Sequence, residues 1–543
     1  MRRLLAAIAA ALILAALLPW LARPSSTGHG PVVALGLPRT IDPTAATRLD
    51  EFRLVTALFE PLVVLDPATL AAKPALAAAW EVSPDERTWT FRIDERARWS
   101  DGRRVTAADV RRGLLRHLIV QSPNAFYIEG LIAGSMSSER GEPERRTILE
   151  RDVGLTCPDE HTLVMRLAHP APYLPAILSL SAFVPLTPEQ DRPSSAGSSA
   201  WTDPTQVVGN GPLTCRHHLA RHHYDFVPSP TYGGSHPARG PVRALIIDNP
   251  GTALRLYLSG EVDAILLLPA DAVGDLRRGK VAGLQQSPSL STAYLRVRVV
   301  PRPDDRPEIT AALSHPRLRR ALARAVDRSE LADHLLHGSA VPATTFVPAA
   351  LSQYLPYHAP VDVLAGDAAA AAADLAAARS DLGTLPELEL VAPSQPAERL
   401  SAAELVADQW RRRLGLSVRL TILPQTELRS REKSIDYDLA LAIWLGDFLD
   451  PTTFLDCFRI DGGANRTGFA DPEYDRLLDR AAATVGNERW RLLEAAERRL
   501  MEFAPLIPLW HGACSFLVRP GLSGIRANPL EIVHLDAVGW DRP

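Results

Sequence analysis

Tyr437-Asp438-Leu439-Ala440-Leu441-Ala442-Ile443-Trp444 is apolar on both faces once Asp438 is set aside. Successive side chains of a strand point to opposite sides, so a run of this kind avoids water on both. Helices covering a sheet from above and below provide that setting, and the segment reads as a central strand of an α/β fold. The neighbouring sequence agrees. Leu405/Val406, Trp410 and Leu414 fall on one helical stripe, which Gly415 should stop. Leu416, Val418, Leu420 and Ile422 then alternate as a strand. Pro316 opens a helix with Leu318, Leu322 and Ala325 on one face. Leu493, Ala496, Leu500 and Phe503 make another. Leu506–Trp510 and Ser515–Val518 read as two final strands, and the Ala-rich 366–378 stretch as a helix of high intrinsic propensity.

The first half alternates in the same way. Thr88-Trp89-Thr90-Phe91-Arg92-Ile93 has the period of a half-buried strand. Thr106-Ala107-Ala108-Asp109 resembles a capping box, followed by Val110, Leu114 and Leu118 at helical spacing. Leu163, Met165 and Leu167 alternate again, and 191–204, rich in Ser, Pro and Gly, is a loop.

The chain of 543 residues is too long for one ordinary domain; two to four are expected. Its 46 % hydrophobic and 22 % charged residues are those of a folded globular protein. The net charge of −4, with no Lys/Arg-rich block, argues against nucleic-acid binding. Met1-Arg2-Arg3 followed by an apolar run from Leu4 to about Ala22 is the pattern of an export signal. No Ala-x-Ala site ends the run and no Cys follows it. A lipoprotein anchor is thereby excluded, while an uncleaved N-terminal helix stays open as a tether. Residues 1–30 are therefore read as signal or anchor plus linker.

Export would bring the four cysteines, Cys157, Cys215, Cys457 and Cys514, into an oxidising compartment. Cys157–Cys215 and Cys457–Cys514 would each stay within one half of the chain; the alternative is four buried thiols. His217-His218 and His222-His223 flank a short turn, but no carboxylate or Cys joins them at ligand spacing. They read as a solvated hairpin, and no metal or cofactor is expected. No Gly-x-Ser-x-Gly, His-Glu-x-x-His or Gly-x-x-x-x-Gly-Lys motif is present, so no enzyme is expected. Asp447 and Asp450 alone offer a carboxylate pair that a secreted hydrolase could use.

Several blocks, in order, resemble one family. They include Arg39-Thr40-Ile41-Asp42-Pro43, Leu58-Phe59-Glu60-Pro61-Leu62 and Pro74-Ala75-Leu76-Ala77-Ala78-Ala79-Trp80. Trp99-Ser100-Asp101-Gly102 with Val105-Thr106-Ala107-Ala108-Asp109-Val110 follows, then Gly209-Asn210-Gly211-Pro212. Trp444-Leu445-Gly446-Asp447 to Asp450-Pro451-Thr452-Thr453-Phe454 and Asn465-Arg466-Thr467-Gly468 complete the set. Across 33–538 the chain resembles the extracytoplasmic solute-binding proteins of peptide ABC importers, the oligopeptide- and dipeptide-binding family.

The resemblance implies the two-lobe periplasmic-binding-protein fold of type II, with an extra subdomain inserted in the first lobe. The first lobe would hold 31–290, with the insertion at about 60–170, and regain 507–543; the second would hold 291–506. Hinges are expected near 285–292 and 505–511. The resemblance also implies an exported monomer that captures short peptides and passes them to an ABC permease, whose partner subunits consume ATP. Branches of the same family take other solutes, such as oligosaccharides or nickel and haem chelates. A membrane-tethered sensor is the reading from another class. By resemblance Asp447 would pair with the peptide's α-amino group, and Ala442, Trp444, Leu445 and Gly446 would lie along its backbone. Leu37, beside Pro38, stands where oligopeptide binders carry an acidic residue, so one acidic partner for the amine is missing.

Overall fold

The computed structural model describes residues 30–136, 141–191, 201, 203–302, 306–337, 339–351, 364–460, 462 and 464–541. The export segment expected over 1–30 lies almost entirely outside them. Among the described residues, no helix is long and apolar enough to cross a membrane.

The chain opens on strand β1 (Val32–Leu35) and soon enters an inserted antiparallel sheet of four strands. These are β2 (Ala77–Val82), β3 (Thr88–Ile93), β4 (Leu155–Asp159) and β5 (Thr162–Arg166), in the order β2-β3-β5-β4. The expected alternation of β3 is present: Trp89, Phe91 and Ile93 point into the core. Helix Ala107–Val120 covers this sheet and starts as anticipated, with the Thr106 N–H donating to Asp109 Oδ2 at 2.9 Å.

Apart from two short pairs, Val63–Leu65 with Ala72–Pro74 and Leu522–Ser523 with Gly539–Trp540, the remaining strands build one large sheet. In chain order they are β6 (Leu213–Leu219), β7 (His223–Pro228), β8 (Val242–Ile246), β9 (Ala264–Ile265) and β10 (Leu284–Val297), then β11 (Ala340–Pro342), β12 (Leu388–Pro393), β13 (Val418–Leu423), β14 (Leu439–Leu445) and β15 (Leu506–Val518). The spatial order is β13-β12-β14-β10-β15-β9-β1-β8-β7-β6, with β11 also on β15. The pairs β1–β8, β1–β9, β12–β13 and β12–β14 are parallel. The expected central strand is β14; Leu439 to Ala442 are buried. Helix Ala397–Leu414 ends where Gly415 takes φ 61°, a left-handed stop that glycine adopts without Cβ strain.

Two principal cores divide the molecule. One gathers Val33, Phe91, Leu114, Phe226 and Phe516, so the inserted sheet and the β1 end of the large sheet share it. The other gathers Leu295, Leu322, Trp410, Leu441 and Leu500. The long antiparallel pair β10 and β15 runs from one to the other. Its register breaks between Pro288 and Thr292, opposite Ala513 and His511. The two short strands read at 506–510 and 515–518 are thus one bulged strand. Gly512 permits this, because a Cβ there would stand 2.3 Å from the Ser291 hydroxyl.

The disulfide expectation is overturned: all four cysteines are free thiols. Proximity in sequence did not place them together. Cys457 belongs to the second core and Cys514 to the first, while Cys157 and Cys215 sit on strands of different sheets. Three donate to nearby carbonyls instead: Cys215 to His217, Cys457 to Thr453 and Cys514 to Asn528.

Candidate functional site

Strand β14 ends at Leu445, and its register explains what it can offer. On one side it pairs with β10 from Leu439 through Leu445. On the other, β12 pairs only with Leu439 and Ala440. Among the described residues, no strand covers that second side over 441–445, which includes Ala442, Trp444 and Leu445. Such an edge carries unused backbone donors and acceptors.

The chain then turns sharply. The Gly446 N–H donates to Leu290 O at 2.6 Å, and a Cβ at Gly446 would meet Phe454 and Leu290 within 2.8 Å. Gly446 therefore lets the turn lie against the core. The loop after it is fixed from below. Both Asp450 oxygens accept from the Arg489 guanidinium at 2.7 and 2.8 Å, and Asp450 Oδ1 also caps Thr452. The hydrolase alternative fails on this point. Asp450 is consumed by a buried ion pair and does not line the cavity that Asp447 faces.

Asp447 hangs from this platform. Its N–H donates to Thr453 Oγ1 at 3.1 Å, while Trp444 Nε1 donates to Thr453 O at 2.7 Å. The Asp447 carboxyl is half-buried, and no described cation pairs with it. Burial pushes its pKa up to about 6, against a smaller opposing pull from the Tyr127 hydroxyl.

Asp447 opens onto a cavity of about 870 Å³. One wall comes from the first-core side (Tyr127, Leu131, Tyr173), the other from the second (Trp444, Asp456, Arg466). Phe448 reaches across: its ring stacks on Tyr173 at 5.3 Å and meets Tyr127 edge-on at 6.4 Å. Most charged groups of the cavity are matched internally. Arg296 pairs with Glu432, Arg459 with Asp456 and Asp479, and Arg489 with Asp450. Arg466 is different: it lines the cavity, and no described carboxylate pairs with it. Among the described residues, the cavity lining thus holds the Asp447 and Glu129 carboxylates and the Arg466 guanidinium without an ion-pair partner.

Sequence reasoning did not single out Arg466, Tyr127 or Glu531. Arg466 stood in a quoted motif, yet nothing local marked it as unpaired. Glu531 lines a smaller cavity of about 100 Å³ that also contains Asp447 and Leu445. Burial raises its pKa, with Arg53 nearby pulling the other way. Leu37 and Pro38 follow β1, the Leu37 N–H donating to Asp248 at 2.8 Å, and neither lines these two cavities.

Comparison with known proteins gives this geometry a lineage. The family model described as bacterial extracellular solute-binding proteins, family 5, matches residues 71–466. The periplasmic murein peptide-binding protein MppA of Escherichia coli is 26 % identical over 500 residues, covering 91 % of this chain and 90 % of MppA. The periplasmic oligopeptide-binding protein OppA of Salmonella typhimurium is 26 % identical over 519 residues, covering 92 % and 90 %. The crystal structure of an oligopeptide-binding protein of Borrelia burgdorferi superposes with a TM-score of 0.77 at 25 % identity, covering 94 % of this chain and 99 % of that one. With two lobes joined by paired crossing strands and a walled cavity between them, the chain belongs to the bacterial extracellular solute-binding proteins of family 5.

Proposed function

We propose that the protein is an exported receptor that captures short peptides between its lobes and passes them, unaltered, to an ABC permease. The observation that carries this reading is Asp447: a half-buried carboxylate, without a cation partner among the described residues, facing a cavity between two lobes. A buried anion calls for a cation, and a peptide's α-amino group supplies one. Arg466 takes the other terminal charge, since a guanidinium matches a carboxylate with two parallel hydrogen bonds. Between them the open side of β14 at 441–445 pairs with peptide backbone irrespective of side chains. Trp444 and Leu445 border that path. The names of the relatives, which bind murein peptides and oligopeptides, point the same way.

The lobes are assigned as 31–290 with 507–543, and 291–506. The register break of β10 against β15 at Pro288–Thr292 is where the lobes turn on each other. A peptide held by Asp447 from one lobe and by Tyr127 or Tyr173 from the other favours the closed form, because it contacts both.

Titration of the protein with a pool of peptides two to eight residues long, read by tryptophan fluorescence, tests the reading. Saturable change that Trp444→Phe largely removes is expected. No change in fluorescence or melting temperature with any such peptide would refute it.

A further inference from the structure

The free edge of the large sheet carries a second cluster, which shares no residue with the cavities described above. Pairing of β6 with β7 sets His217 opposite Asp225 and Leu219 opposite His223. His223 and Asp225 are two residues apart on one strand, so they share the face that His217 also occupies. Folding therefore supplies the carboxylate that local sequence spacing lacked. His217 Nδ1 and His223 Nε2 are 3.2 Å apart, and Asp225 Oδ2 lies 3.8 and 3.6 Å from them. The point equidistant from three atoms so spaced is about 2.1 Å from each, the bond length Zn²⁺ takes to imidazole nitrogen and carboxylate oxygen.

The surroundings hold these atoms in place. His222 Nδ1 lies 2.7 Å from His223 Nδ1. With His223 donating Nδ1–H to His222, its Nε2 is the acceptor nitrogen, available to a metal ion once His217 Nδ1 gives up the proton it shares there. Arg243, opposite Asp225 on β8, binds Oδ1 at 2.6 Å and Oδ2 at 2.8 Å and fixes the carboxylate plane. The His217 side chain is 62 % exposed and that of His223 9 %, so the cluster opens to solvent on one side only.

The geometry points to a divalent-metal site formed by His217, His223 and Asp225, with a fourth position left open to water or an incoming donor. Two imidazoles and one carboxylate suit Zn²⁺ and its late first-row neighbours; Mg²⁺ and Ca²⁺ require oxygen ligands throughout. Bound there, the ion clips the edge strand β6 to β7. The adjacent Arg243 charge weakens the hold relative to an unpaired carboxylate. The site stands independently of peptide capture.

Equilibrium dialysis of the full-length chain, carrying no oligohistidine tag, against Zn²⁺ at pH 7.5 tests the proposal. One Zn²⁺ per chain is expected, undisturbed by excess Mg²⁺, and Co²⁺ loaded in its place should show d–d absorption bands. His217→Ala, at an exposed position, and the His217→Ala/His223→Ala double variant should weaken binding by about tenfold or more and lose the bands. His218→Ala, whose ring stacks on Tyr224 at the opposite face, should bind as wild type. Less than one Zn²⁺ per chain, or Zn²⁺ retained by the double variant, would overturn the proposal and leave only a hydrogen-bonded imidazole relay.

Discussion

Replacing Asp447 by Asn should make the empty protein more stable while destroying its capture of a peptide amine. The Asp447 pKa stands at about 6 in the folded protein against 3.8 for an unperturbed carboxyl, the cause being burial. Between those two pH values the folded state holds a proton that the unfolded state has released. Stability therefore falls as pH rises through this window, and at pH 7 the ionised group costs the fold ~3 kcal/mol relative to its protonated form. Asn keeps the shape and an acceptor for Tyr127 but carries no charge at any pH. Urea unfolding of both proteins from pH 4 to 7.5, without peptide, isolates the effect because every other group titrates alike in the two. The difference should be near zero at pH 4 and approach ~3 kcal/mol in favour of Asp447→Asn at pH 7.5. A variant no more stable than wild type at neutral pH, or a gain independent of pH, would refute the claim that this carboxylate is held buried awaiting a cation.

Arg466→Gln should weaken free peptides by ~2–3 kcal/mol yet leave C-terminally amidated peptides nearly unaffected, as competition binding would show. Asp450→Asn leaves Arg489 buried without its counter-charge and should destabilise the protein by ~3–5 kcal/mol in denaturant unfolding, whatever the ligand. Phe448→Ala removes the ring seated between Tyr127 and Tyr173 and should cost ~3–5 kcal/mol of packing. Because that ring crosses between lobes, X-ray scattering of Phe448→Ala should show a larger radius of gyration than wild type; an unchanged radius would remove Phe448 as an inter-lobe latch.

Periodicity made the elements legible where one side chain pattern decides the outcome. The double-faced apolar run at 437–444, the Thr106 cap and the Gly415 stop all stand where the sequence placed them. Periodicity failed at Leu506–Val518. There a glycine amid apolar residues looks like a break, whereas the missing Cβ is what lets a long strand bulge past Ser291. Position along the chain failed for the cysteines: Cys457 and Cys514 fall in different cores, and Cys157 and Cys215 on strands of different sheets. At the site, Asp447 was legible because it ends a buried strand within a recognisable motif. Arg466 was not, because being unpaired depends on where three other arginines and their carboxylates come to rest. The Asp225 carboxylate beside His217 and His223 was hidden for a related reason: strand register, not sequence distance, brings it there.

Calorimetric titration of one tripeptide, with a free or an acetylated amino terminus, across pH 5 to 9 puts the central claim to the most direct test. The free peptide should bind best between about pH 6, where Asp447 ionises, and pH 8, where the peptide amine loses its proton, and be about tenfold weaker at pH 5. The acetylated peptide should lose ~2–5 kcal/mol at pH 7, since it leaves the buried carboxylate unpaired. Equal affinity for the two peptides at pH 7 would contradict the account.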